Sequence, residues 1–283
     1  MAEYKVAAFI DEYSDDLNLQ IAALKKHGIR YVELRHCNGK NVSEFTKSDK
    51  IAVKRAFDEN GVSVSAIGSP IGKIPIDGDI AGHLRLAERV FETAKYFNAK
   101  NVRIFSFYIP KGQKAEAFRD RVIDAGGKLI DLADKYDLTL CHENEAGIYG
   151  ESPANCLDLL EATGGKLKCV FDMGNFVLDG FKPFPDAYFP LKKHIEYFHI
   201  KDALYEGAIV PAGKGQASIK EILKDFSESY EKDVFVTLEP HLQTFAGLNA
   251  LVGKTFENPY KYETQQAAFD DDAEKFFKLL KEL

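Results

Sequence analysis

Eight short runs rich in β-branched and aromatic residues recur along this chain at near-regular intervals. They are 4–9 (YKVAAF), 31–35 (YVELR), 62–67 (VSVSAI), 101–107 (NVRIFSF), 138–143 (LTLCHE), 168–172 (KCVFD), 196–201 (EYFHIK) and 233–239 (DVFVTLE). Their starts lie 27 to 39 residues apart, the length of one strand, one helix and two loops. The stretches between them carry helix signals. Residues 15–27 place Leu17, Ile21 and Leu24 on one face, with Ser14 as the expected N-cap and Lys25, Lys26, His27 and Gly28 at the close. Residues 80–97 align Leu86, Val90, Ala94 and Phe97. Residues 269–283 align Phe269, Ala273, Phe276, Leu280 and Leu283.

Eight strands that alternate with helices predict an α/β fold, a single (β/α)8 TIM barrel spanning 1–283 with a longer segment after strand eight. A chain of 283 residues suits one such domain. A doubly wound sheet would need a glycine-rich turn after its first strand, and Phe9-Ile10-Asp11-Glu12-Tyr13 is not one. Residues 241–264 exceed the usual short connection and read as a lid or a subunit contact.

The charge balance is −7, which argues against a protein held on nucleic acid by a general basic field. No run of about 18 apolar residues is present, so no membrane partner is expected. The start Met-Ala-Glu-Tyr-Lys-Val lacks a secretory pattern, and Cys37, Cys141, Cys156 and Cys169 form no Cys-x-x-Cys pair. Together these features read as a reduced, cytoplasmic protein.

In a parallel barrel the reactive groups gather at the C-terminal ends of the strands. Strand five ends at Glu143, strand six at Asp172, strand seven near His199 and strand eight at Glu239. Period-two alternation that turns His199 inward also turns Tyr197 and Lys201 inward. The same rule groups Glu143 with Cys141 and Thr139, and Glu239 with Thr237 and Phe235. Three carboxylates and an imidazole on one ring make an oxygen-rich site for one divalent cation. Manganese is the leading choice, with cobalt, magnesium or zinc as alternatives. A cation also explains why three acids that repel one another converge.

The chain at this point resembles the xylose isomerase-like barrel superfamily, in its sugar phosphate isomerase/epimerase branch. The matching segments are Val32-Glu33-Leu34-Arg35, Glu143-Asn144-Glu145, Asp172-Met173-Gly174-Asn175, His199-Ile200-Lys201-Asp202, Gly213-Lys214-Gly215 and Leu238-Glu239-Pro240-His241. The resemblance implies a metal bound by Glu143, Asp172, His199 and Glu239. It also implies that Glu143 and Glu239 flank a carbohydrate and move a proton on carbon. Proton removal beside a carbonyl gives an enediolate that a cation stabilises. Return from the opposite face is epimerisation, and return to the neighbouring carbon is isomerisation. Dehydration of a polyol or cyclitol ketone begins the same way and is the alternative enzyme reading. A non-catalytic sugar-binding barrel is the alternative of another class.

One departure is notable. Many members carry histidine three residues after the strand-six aspartate, where this chain has Asn175, which neither titrates nor readily binds a metal. That change, and the absence of histidine from 68–73 and 105–108, weighs against the endonuclease IV-like DNA-repair branch.

Further candidates for substrate contact are Glu33, Arg35, Lys73, Arg103, Asn175, Lys201, Asp202 and His241. Glu33 and Arg35 share a face of strand two, so Glu33 is expected to hold Arg35 against a substrate anion or as an ion pair. Asp202 is read as orienting a group of the metal shell. Gly213-Lys214-Gly215 is either a tight turn or a phosphate cradle. His142 alternates away from the pore and reads as structural. Phe181, Phe184, Tyr188 and Phe189, with Phe245 and Phe256, suit either walls over the site or a contact in a homo-oligomer.

Overall fold

The computed structural model describes residues 3–242 and 260–283. All eight expected strands form: β1 (Tyr4–Ala8), β2 (Tyr31–Leu34), β3 (Ser63–Gly68), β4 (Asn101–Ile104), β5 (Thr139–Glu143), β6 (Lys168–Asp172), β7 (Ile195–Ile200) and β8 (Val234–Leu238). They pair in parallel and in sequence order, and β8 closes on β1, giving a closed (β/α)8 TIM barrel. Closure excludes the doubly wound alternative, which has open sheet edges.

The main helices are α1 (Leu17–His27), α2 (Lys47–Glu59), α3 (Ile80–Tyr96), α4 (Arg119–Asp134), α5 (Pro153–Ala162), α6 (Met173–Leu178), α7 (Tyr188–Leu191), α8 (Ile219–Ser229) and α9 (Gln265–Leu280). Helix α1 is capped two residues later than expected. Asp16, not Ser14, accepts from the N–H groups of Asn18 and Leu19, while the Ser14 hydroxyl receives the N–H of Asp16 itself. The carboxylate at the helix start is the better cap because it also meets the positive end of the helix dipole. Helix α9 starts at Gln265, four residues before the expected start, because Thr264 caps it. It ends before Leu283, which is exposed and leaves the expected stripe.

Alternation divides the barrel residues into two sets. Val32, Leu34, Val102, Leu140, Phe171, Phe198, Val236 and Leu238 belong to the main core cluster. Phe198 meets Phe226 of α8 edge-on at 5.0 Å, which shows that this face packs on the helices. Phe181, Phe184 and Tyr188 join the same layer: Tyr188 is fully buried and stands edge-on to Phe171. They therefore fill space between barrel and helices instead of walling the site, and only Phe189 of that group is exposed. Phe245 and Phe256, and most of the 241–264 segment, lie outside the described residues. The inward set mixes apolar residues such as Phe9 with polar ones: Glu33, Ser65, Arg103, Tyr197, His199 and Thr237 are all buried. Polar side chains in a closed lumen need partners, and those partners build the site.

Candidate metal centre

The register brings the four expected ligands to one height. Asp172 pairs with His199 across β6 and β7, and His199 pairs with Thr237, two residues before Glu239. His199 Nδ1 lies 3.0 Å from Glu143 Oε1, 3.1 Å from Glu239 Oε2 and 3.9 Å from Asp172 Oδ2. One ligand atom from each of the four residues falls within 4.8 Å of the others, and all four residues are buried. The spread of the donors suits a single ion with bonds of about 2–2.5 Å.

The donor chemistry also fits. Glu143 Oε2 and Glu239 Oε2 are buried and make no hydrogen bond of good geometry, although cations lie beside both. A buried carboxylate oxygen without a hydrogen bond is costly unless something else satisfies it. Burial alone disfavours a charged His199, yet Glu143, Glu33 and Glu239 outweigh it and hold the imidazole well above its ordinary pKa. The same field that draws a proton onto this ring would draw a divalent cation among the carboxylates. Burial, with Glu239 and Glu143 added, pushes the Asp172 carboxyl up to about 7 against the pull of Lys201. Burial also raises Glu143, but His199 and Arg103 reverse it and hold that carboxyl at about 2.

A second ring of residues fixes the first. Glu33 is fully buried, accepts from the Tyr197 hydroxyl at 2.9 Å and lies 3.1 Å from His199 Nε2. This contact sets the ring so that Nδ1 faces the carboxylates. The expected Glu33–Arg35 pair therefore does not form. Glu33 lies on β2 below the mouth, whereas Arg35 follows the strand end and reaches Asp11, Glu12 and Glu239. Arg103 Nη1 lies 3.1 Å from Glu143 Oε2, and its guanidinium sits over the Phe105 ring at 4.7 Å.

Lys201 donates to Asp172 Oδ2 at 2.9 Å and to Asn175 Oδ1 at 3.0 Å, and stands 3.2 Å from Glu239 Oε2. Asn175 donates from Nδ2 to the Asn144 carbonyl at 2.9 Å, and its backbone N–H donates to Asp172 Oδ1. Gly174 permits this packing: a Cβ there would fall 2.5 Å from Lys201 Cγ and 2.9 Å from the Lys201 carbonyl carbon.

The remaining candidates lie farther out. Lys73 pairs with Glu145 at 3.1 Å and stacks over Phe105, with about a third of its side chain exposed. His241 stands 3.3 Å from Glu12 Oε1 and 3.6 Å from Glu239 Oε1, at the mouth. Burial and the charge of Lys201 hold its imidazole low, in the neutral form.

Asp202 turns away from the ligands. Its carboxylate accepts the N–H groups of Ala203, Gly215 and Ala217, and it orients no ligand. The glycine loop is thus a turn closed on Asp202, and the Gly215 N–H is not free to cradle a phosphate. A Cβ on Gly215 would fall 2.2 Å from Asp202 Oδ1, which explains that glycine. His142 is structural as expected, with Nε2 2.9 Å from the Ser106 hydroxyl.

Three further participants escape the reading of the sequence. Asp11 and Glu12 follow the end of β1 at the height of the other strand-end acids, and that position is the one signal that marks them. Asn144 exchanges two hydrogen bonds with the Asp172 backbone and so ties the ends of β5 and β6 together. Asn144 stands within the matching segment Glu143-Asn144-Glu145, but its role is not local, since its partner is 28 residues away.

Comparison with known proteins agrees with this architecture. Residues 21–258 match the family model described as xylose isomerase-like TIM barrel. No curated protein sequence is significantly similar to the chain. Among solved structures, the IOLI protein with a bound zinc atom superposes with a TM-score of 0.76 at 16% identity, covering 98% of both chains. The probable 3-DHS dehydratase AsbF of Bacillus anthracis gives 0.73 at 13% identity, covering 98% of this chain and 99% of that one. A D-allulose 3-epimerase from Methylomonas sp. in complex with D-allulose gives 0.73 at 12%, covering 98% and 97%. At such identities the likeness is one of fold. The match of the family model to most of the sequence, on a closed eight-stranded barrel, means that this chain belongs to the xylose isomerase-like TIM barrel family.

Proposed function

We propose that the protein is a divalent-metal-dependent isomerase or epimerase of a sugar or sugar derivative, with Glu143 and Glu239 as its proton-transfer groups. The observation that carries this reading is the pair of buried glutamates, one on β5 and one beyond β8, whose Oε2 atoms meet only side-chain cations, in a ring with Asp172 and His199. Those four residues would hold the ion. A divalent ion held there lowers the cost of negative charge on nearby substrate oxygens. Each glutamate is held at low pKa by cationic neighbours and so is available as a carboxylate at neutral pH. Two such bases from different strands allow a proton to be taken by one and returned by the other. Arg103 steadies Glu143, and Lys201 with Asn175 steadies Asp172. Lys73 and His241, the partly exposed members at the rim, would meet the substrate's far hydroxyls.

A dehydratase reading shares the first proton transfer. In that case buried Lys201, held protonated by Asp172 and Glu239, would offer a departing hydroxyl a positive charge and not a proton. The test is to load the purified protein with manganese, screen ketoses and polyol ketones in deuterated water, and follow deuterium on carbon and loss of water. Deuterium incorporation without loss of water supports isomerase or epimerase action. Loss of water supports the dehydratase. Exchange unchanged by Glu143→Gln and by Glu239→Gln would overturn the two-base mechanism.

A further inference from the structure

Glu239 faces two clusters at once. Its Oε2 is turned to His199 at 3.1 Å and Lys201 at 3.2 Å, within the metal quartet. Its Oε1 is turned the other way, to Arg35 Nη1 at 3.1 Å and His241 Nε2 at 3.6 Å. On that second side Glu12, Glu239 and His241 also offer ligand atoms within 4.8 Å of one another. The second cluster is already occupied. Arg35 enters it with three nitrogens engaged: Nε on Asp11 Oδ2 at 2.8 Å, Nη1 on Glu239 Oε1, and Nη2 on Glu12 Oε1 at 3.2 Å. The guanidinium lies 4.1 Å from the centroid of Phe9, a fully buried ring that stands edge-on to His199.

We infer that Arg35 is a positioning residue that fills, with its own guanidinium, the place a second divalent cation would take beside Glu239, and so limits the centre to one ion. This rests on the reading of the quartet as a metal site. The physical reason is charge and geometry together. Glu12 and Glu239 present two carboxylates to one place and His241 adds a nitrogen, a hard donor set suited to a divalent ion, while Asp11 meets the same guanidinium at its Nε edge. A guanidinium supplies a permanent charge and a planar fork of donors, so it satisfies several carboxylates and fixes where each oxygen points. Locking Oε1 of Glu239 leaves only Oε2 for the quartet. A covalently held cation cannot be lost or exchanged, so the number of ions in the centre is set by the chain and not by metal supply.

The experiment counts manganese ions bound per chain at equilibrium, by dialysis and elemental analysis. Wild type should hold one ion. Arg35→Met, which keeps an apolar stem over Phe9 and removes the charge, should hold two. Arg35→Lys, which keeps a cation in place, should return to one. Arg35→Met with Glu12→Gln, which removes a donor of the second cluster, should also return to one. A merely structural role for Arg35 would lower metal binding on truncation and would not raise it. Should Arg35→Met fail to fold, Arg35→Gln takes its place, with the same count expected. One ion or fewer in a folded Arg35→Met or Arg35→Gln protein overturns the inference, as does a second ion in wild type. No ion in wild type overturns the quartet reading itself, which keeps the two failures distinct.

Discussion

At the mouth of the barrel Glu143, Asp172 and Glu239 are buried against side-chain cations, whereas Asp202 is buried against backbone N–H groups of its own loop. Both arrangements answer the cost of hiding a carboxylate from water. They leave the carboxylates with different capacities. The N–H groups around Asp202 are fixed by the turn they close, and both carboxylate oxygens receive at least one of them. At the mouth, Glu143 Oε2 and Glu239 Oε2 are met only by charged side chains, and by no backbone N–H. A carboxylate satisfied by backbone is a structural brace. A carboxylate balanced only by side-chain charge can exchange that partner for a ligand. In the sequence Asp202 stands three residues after His199 and looks as much like site chemistry as Asp172 does.

The sharpest contrast should come from removing donors on each side. Asp172→Ala combined with His199→Ala takes away two of the four proposed ligands, and metal content of the folded protein should fall from one ion per chain to none. A retained ion would show that the quartet is not the site. Asp202→Ala should do the reverse. It should cost about 2–4 kcal/mol of stability in denaturant titrations, because buried N–H groups lose a charged acceptor, while metal stoichiometry holds. Loss of the ion with little loss of stability would erase the distinction between the two regions.

A smaller effect tests the link beneath the mouth. Glu33→Gln keeps the shape but weakens the grip on His199, and metal affinity should drop by roughly 10- to 100-fold, as for other partners behind a ligand histidine. An unchanged affinity in a calorimetric titration would mean that Tyr197 and packing orient the ring unaided.

The smallest effect concerns Asp272 on α9, a buried brace whose Oδ1 accepts the Ala212 N–H while Oδ2 has no hydrogen bond. Burial pushes its carboxyl up to about 7. The folded protein thus keeps a proton there that the unfolded chain has released from about pH 4 upward. The resulting penalty grows as pH rises from about 4 and is complete above about 7. Asp272→Asn keeps the acceptor for Ala212 and cannot ionise. Its Tm should exceed wild type by roughly 2–6 °C at pH 8, with the gain vanishing near pH 4. A gain independent of pH would assign the effect to packing.

Much of the centre is legible in the sequence because strand-end position is a local property. Once a run is identified as a strand, alternation says which of its residues face inward, and this groups Glu143, Asp172, His199, Glu239 and Lys201 as one ring. Alternation does not say who partners whom. Glu33 and Arg35, two apart on one face, look like a pair, yet the strand ends between them and each takes a partner from another strand end: His199 for Glu33, Asp11 and Glu239 for Arg35. Nor does it single out Asp11 and Glu12, whose importance lies in meeting Arg35 and His241 from other strands.

By itself the sequence determined the number and order of the strands and the four candidate ligands, because hydrophobic period and strand-end position depend on neighbours a few residues apart. Only the tertiary structure decided who holds whom. Glu33 meets His199 across 166 residues and Arg35 meets Glu239 across 204. Such contacts follow from barrel closure and from the register between strands, which place distant segments within hydrogen-bonding reach and which no local pattern encodes.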